Sequence, residues 1–296
     1  MQTLLLETVM SFCADKEIRI FPGFFIIIVT AGMYLYSDSA KSQIAGSFRD
    51  CRDCPEMVEI PKGSFLMGSD TGRDDEKPMH RVTIGNSLAV GKYEITRRQY
   101  QIFSKDSNFS KGNGCEVYDV PSFNMNFAKS WADPDFKQNG NHPVVCVNWH
   151  DAQAYVDWLS VKTGKKYRLL SESEWEYAAR AGSVAKYAFG DTIDSTKANY
   201  GDQFRRTSSV GSYPGNMFGL HDMHGNAAEW VTDCWAENYE HTPVTGGPMT
   251  KGPCQNRVIR GGTWHNQAQY LRSAFRNGYF ADFRLSGIGF RVAREL

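Results

Sequence analysis

Two stretches limit what this chain can fold into: Asn216 to Trp230, NMFGLHDMHGNAAEW, and Arg257 to Trp264, RVIRGGTW. The first is too rich in glycine and asparagine for a buried helix or strand. Gly219 and Gly225 permit backbone angles closed to other residues, and Asn216, Asp222 and Asn226 can bond their neighbours' backbone. Glu229 and Trp230 follow directly. A stapled loop of this kind gathers carbonyls and carboxylates, the oxygen ligands that a hard cation such as calcium prefers. The second stretch reads as a buried strand, RVIR, broken at Gly261-Gly262 and anchored by Trp264.

The remaining elements are short. Met57 to Ile60 and Ser64 to Met67 read as strands around the turn Pro61-Lys62-Gly63. His80 to Ile84 and Leu88 to Glu94 read as two more. Thr96 with Gln99 forms a capping box, and Tyr100 and Phe103 give the helix behind it an apolar side. Trp149 to Leu159 places Ala152, Tyr155, Val156 and Leu159 on one helical face, with Gly164 beyond. Tyr167 to Leu170 is a strand, and Ser171 with Glu174 caps a helix that stops at Gly182. Residues 106–141 lack periodicity and read as a long surface insertion, packed through Phe123, Phe127, Trp131 and Phe136. Helices on short, irregular strands give an α+β domain with much coil.

The 33 basic and 33 acidic side chains cancel, and no basic tract points to nucleic acid. Ile20 to Tyr36 carries no charge and fits a transmembrane or signal segment. The domain plan is therefore a leader (1–19), this segment (20–36), a polar linker (37–55) and one globular domain (56–296). Lys16 and Arg19 before the segment balance Lys41 and Arg49 after it, so charge leaves orientation open, as it leaves anchoring against cleavage. A periplasmic or extracytoplasmic protein is expected either way.

Six of the seven cysteines follow the apolar segment, an even number, as a disulfide framework needs. Local pairing gives Cys51–Cys54, Cys115–Cys146 and Cys234–Cys254, although six cysteines formally allow other connectivities. The second and third would each be worth roughly 3 kcal/mol by loop closure. Cys51-x-x-Cys54 could also be a redox or zinc half-site, but no second CxxC accompanies it.

GLHDMHGNAAEW, RVIRGGTW and the closing GIGFRVA resemble the sulfatase-modifying-factor family, which includes the formylglycine-generating enzyme. MVEIPKGSFLMGS, HPVVCVNW and RLLSESEWEYAARAG match it in the same order. The resemblance implies an irregular, coil-rich variant of the C-type-lectin-like fold. It implies calcium at the backbone oxygens of His224, Gly225 and Ala227 with the Glu229 carboxylate. A first calcium loop would use Asn199 and the Tyr200 carbonyl, with Asp202 as a substitute ligand. Glu229 could instead pair with a C-terminal arginine.

The family's enzyme binds copper with two cysteines shortly after its RGGS-like turn, since soft thiolates select Cu(I). The matching stretch here, Gly261 to Tyr270, contains no cysteine, so copper and formylglycine generation are not expected. His221 and His224 form an HxxH, too few ligands for a metal centre. His265, read as ringed by Trp264 and Tyr270, is the candidate general base or hydrogen-bond donor to a carboxylate. Arg272 and Arg276 are further cleft candidates; with Arg291 they could equally brace loops. Two functions stay open. One is an envelope oxidoreductase or maturation factor acting on a peptide-derived product, as in siderophore chromophore maturation. The other is a non-catalytic module that binds a peptide, glycan or envelope protein.

Overall fold

The computed structural model describes residues 46–296 apart from positions 110, 111, 113, 120, 121 and 253. The leader, the apolar segment Ile20 to Tyr36 and Cys13 lie outside the described residues. No described helix is long and apolar enough to cross a membrane.

Among the described residues three α-helices form, each from a local signal. In α1, Arg97–Asp106, the Thr96 side chain accepts from the Gln99 backbone while the Gln99 side chain returns to Thr96. In α2, Trp149–Thr163, Asn148 and Asp151 make the same reciprocal cap, and Gly164 ends the helix in the left-handed region. The third, α3, Glu172–Arg180, is capped by Ser171 and Glu174, and all nine of its residues are buried. Its left-handed stop falls on Ala181, with Gly182 also at positive φ. Three of the nine are glutamates, so this helix can sit inside the domain only if their charges find partners there.

The central sheet has five antiparallel strands in the order Ser47–Phe48, Met57–Ile60, Leu88–Gly91, Val292–Glu295, Tyr167–Leu169. A second sheet orders Arg276–Phe280, Asn256–Arg260, Ala228–Cys234 and Ile288–Phe290, the last pair parallel. In Ala228–Cys234 every residue but Thr232 is buried. Trp230 faces the cluster of Tyr100, Phe103, Tyr155 and Phe290, and Val231 faces that of Met67, Trp175 and Val258. Each such fully buried large apolar side chain is worth about 1.5–3 kcal/mol over an exposed one. This sheet is thus the wall shared by both cores, and the ends of its strands carry the site described below.

Three disulfides close at Cys51–Cys54, Cys115–Cys146 and Cys234–Cys254, with Cα atoms 5.0, 5.5 and 4.9 Å apart. Two expectations need correction. The stretch taken as linker is folded from Ser47, because Ser47–Phe48 pairs with Met57 and Val58 and Arg49 bonds the Cys54 carbonyl and Glu56. The 106–141 insertion contains a hairpin, Cys115–Asp119 with Ser122–Asn126. Trp131 is buried as expected, but Phe127 is 79% exposed.

Candidate functional site

The two glycine-rich stretches meet. Strand Asn256–Arg260 ends at Gly261 and Gly262, both at positive φ. A Cβ on Gly262 would come within 2.7 Å of the Tyr270 carbonyl, so only glycine passes here. The chain then turns back: Thr263 N–H donates to Asn266 Oδ1 at 3.0 Å, and Asn266 N–H to the Thr263 carbonyl at 3.1 Å. Trp264 N–H donates to the Asn226 carbonyl and Gly225 N–H to the Gly261 carbonyl. The 216–230 loop is therefore the backing on which the 261–266 turn rests.

That turn opens on a cleft of about 250 Å³ lined by Phe123, Thr263, His265, Asn266, Tyr270 and Tyr279 among others. His265 is enclosed by rings. Tyr118 stacks on it at 5.1 Å, and Phe123 and Trp264 meet it edge-on at 4.9 and 5.1 Å. Tyr118 and Phe123 belong to the insertion hairpin, which Cys115–Cys146 pins to the domain. Tyr270 packs on Phe275 rather than on His265. Burial pushes the His265 imidazole down to about 4, so the ring is neutral near pH 7, and the Thr263 hydroxyl bonds its Nδ1 at 2.8 Å. The hairpin rings were not singled out as site residues from sequence; the aromatic density of the insertion was their signal.

The arginines do something else. Arg276 is 1% exposed; its Nε and Nη2 donate to Glu172 at 2.7 and 2.8 Å, and its Nη1 to the carbonyls of Asp75 and Ala236. It is a core ion pair, not a cleft residue, because Glu172 at the head of α3 needs a buried cation. Arg260 completes that lattice by bonding Glu172 and Glu176. Burial raises the Glu172 carboxyl, but the Arg276 and Arg260 charges outweigh it and hold Glu172 below the usual range. Arg272 grips Glu76 with two bonds and lines a different groove. Of the three expected cleft residues, His265 alone is in the cleft.

The oxygens of the expected calcium loops fare differently. Glu229 is 1% exposed and its carboxylate is taken: Arg291 Nε and Nη2 donate to it at 2.8–3.0 Å, and Trp175 Nε1 at 2.7 Å. His224 spends its ring on the Leu271 carbonyl and the Ala188 N–H, and Gly225 is tied to Gly261. The Glu229 carboxylate is thus ion-paired, whereas these bonds use the His224 ring and the Gly225 N–H and not the backbone oxygens of His224, Gly225 and Ala227 on which the calcium expectation rests. In the other loop, Asn199 Oδ1 and Asp202 Oδ1 are buried with no hydrogen-bond partner. Those orphaned oxygens, beside the Tyr200 carbonyl, fit a hard cation. His221 bonds the Tyr213 carbonyl, and among the described residues no group of three His, Cys, Asp or Glu side chains is placed to hold a metal.

A family model described as the sulfatase-modifying factor enzyme 1-like domain matches residues 44–296. Serine/threonine-protein kinase pkn1 of Chlamydia caviae is 32% identical over 245 residues, covering 81% of this chain and 38% of that protein. The chain thus spans well under half the length of that relative. The formylglycine-generating enzyme of Mycobacterium tuberculosis is 29% identical over 302 residues, covering 81% of this chain and 98% of that protein. Among solved structures, PvdO from Pseudomonas aeruginosa is 38% identical with a TM-score of 0.76, covering 85% of this chain and 98% of PvdO. The order of motifs, the coil-rich α+β fold and these matches agree: the chain belongs to the sulfatase-modifying factor enzyme 1-like family, with the formylglycine-generating enzymes among its homologues.

Proposed function

We propose that this chain is an exported family member that works at the cell envelope on a peptide-derived substrate held in the His265 cleft. In this reading it is an oxidoreductase or maturation factor that does not use thiolate-bound copper. One observation carries it. About where the family's enzyme places its first cysteine the turn has Asn266, beside His265, and the six described cysteines are all consumed in disulfides. Cu(I) selects soft thiolates, so this supports a reading without thiolate-bound copper.

The chain's own residues can bind, orient and exclude water. Tyr118 and Phe123 cover the imidazole, and the Thr263 hydroxyl fixes Nδ1, leaving the ring as a hydrogen-bonding partner or proton acceptor. Among the described lining residues none is a carboxylate, so an imidazolium formed there would lack a stabilising charge from them. The ring-enclosed, neutral imidazole supports a second reading, a non-catalytic binding module for a peptide, glycan or envelope protein. Asn199, Tyr200 and Asp202 would hold a calcium-type ion, which would brace the loop beneath Trp264.

The test incubates the purified protein with a Cys-x-Pro-x-Arg peptide, copper and a reductant, and scans by mass spectrometry for aldehyde. None is expected. Aldehyde that persists in Cys234→Ser would reveal cysteine-independent chemistry and end the binding-module reading. Aldehyde lost in that variant would overturn the copper-free reading.

A further inference from the structure

We infer that strand Gly63–Met67 is a docking edge for an extended peptide of a partner protein, separate from the His265 cleft. Among the described residues the strand pairs only with His80–Ile84, as a two-stranded ribbon. Which of its backbone groups point outward follows from its partner. Thr83, opposite Ser64, sends its N–H away from the ribbon to the Val244 carbonyl at 2.8 Å. In an antiparallel pair both residues then turn their peptide groups outward, and their side chains approach. The Ser64 and Thr83 hydroxyls do so, at 2.9 Å. Ser64 and, two residues on, Leu66 thus present N–H and C=O to the free edge. Neither residue's backbone bonds any other group among the described residues.

Beside this edge runs a groove of about 670 Å³. Gly63, Ser64, Phe65 and Leu66 all line it. Consecutive rather than alternate residues mean that the groove follows the strand's edge and not one of its faces. Its far wall includes Gly182, Val184 and Phe218. Exposed apolar side chains sit along it, with Leu66 and Met79 each 41% exposed and Val184 92%. Natural edges are blunted by charge, proline or a covering element; Gly63–Met67 carries no charge and no proline.

The occupant's chemistry follows. An extended backbone satisfies the outward amides and carbonyls of Ser64 and Leu66 by strand addition, and apolar side chains fill the groove. Of the charged lining groups, Arg180 and Arg272 are engaged by Glu176 and Glu76. Asp70 and Asp191 accept the N–H groups of Met79 and Lys186. The Lys186 ammonium has no partner among the described residues and the two carboxylates meet only amides, so the free charge is of both signs and the fitting segment is an apolar, uncharged strand.

The experiment uses a fluorescein-labelled, capped peptide of alternating threonine and valine, titrated with the protein and read by anisotropy. Two N-methylated versions block alternate amides. We expect saturable binding, weakened about tenfold or more by one methylation pattern and little by the other, since lost edge bonds near 1.4 kcal/mol correspond to a factor of ten. Leu66→Pro removes an outward N–H without touching the ribbon's own ladder and should weaken binding similarly, whereas His265→Ala should not. Equal binding of both methylated peptides, or no saturable binding, overturns the proposal. So does undiminished binding to a folded Leu66→Pro. If Leu66→Pro fails to fold, the methylated pair still decides. A protein dimer that Leu66→Pro dissociates would assign the edge to a second copy of this chain instead.

Discussion

Replacing Glu229 with glutamine tests whether this residue is a metal ligand or an ionic buttress. Arg291 is fully buried and directs three of its bonds to Glu229, with further bonds to the Gly91 and His221 carbonyls. Glu229→Gln keeps the shape and leaves a guanidinium without its counter-charge, a loss that costs about 3–5 kcal/mol in comparable buried pairs. Two neighbours soften it. Glu94 and Asp222 are fully buried acids pushed upward by burial, Asp222 to about 6, and the Glu229 charge contributes to both shifts. With Glu229 neutral they ionise more readily and replace part of the missing charge. The expected loss is therefore near the lower end, about 3 kcal/mol, or about 6–12 °C in melting temperature for a domain of this size. The assay is urea unfolding followed by tryptophan fluorescence, run in calcium and again in chelator. The loss should be the same in both, and Glu229→Gln with Arg291→Met should recover most of it, since a buried pair replaced as a unit is often near neutral. A loss seen in calcium and absent in chelator would return Glu229 to the metal. A loss below about 1 kcal/mol, the range of surface pairs, would refute the burial argument.

Two further outcomes follow. Thiol labelling of the unfolded, unreduced protein should find no free thiol among Cys51, Cys54, Cys115, Cys146, Cys234 and Cys254; stoichiometric labelling of Cys115 or Cys234 would break the pairing. Burial lowers His224 from 6.5 to about 4, so the unfolded state binds the extra proton first and stability falls as pH drops from about 6.5 toward 4, by about 3 kcal/mol in full. His224→Gln should flatten that branch of the unfolding curve, and an unchanged slope would refute the assignment. Asp222 and Asp233, raised by burial to about 6 and 7, act in the opposite sense, their share fading as pH rises through those values.

What could be read from the sequence was local in the chain. The Thr96–Gln99 and Ser171–Glu174 caps each join residues three apart, and the three disulfides join neighbours closely enough spaced for parity and proximity to select them. The Gly261-Gly262 turn was legible because glycine there answers a steric demand. The partners of the buried charges were not. Glu172 and Arg276 are 104 residues apart, and nothing at either position distinguishes a cleft arginine from a core one. Ser47–Phe48 was lost to the linker because two residues have no periodicity. The hairpin over His265 was hidden because Ser122–Asn126 holds only exposed and half-buried side chains without a regular alternation, so no apolar repeat marks it.

The middle of the five-stranded sheet has a kinetic consequence. Val292–Glu295 fills the place between Leu88–Gly91 and Tyr167–Leu169, and Arg291 reaches back 200 residues to the Gly91 carbonyl. Until residues near 292 are available, Leu88–Gly91 and Tyr167–Leu169 have no strand to join them. Closing so long a loop must precede the contacts that reward it, which slows folding. A chain emerging from the ribosome therefore cannot complete this sheet piecemeal, and the sheet stays open until the residues near 292 have emerged.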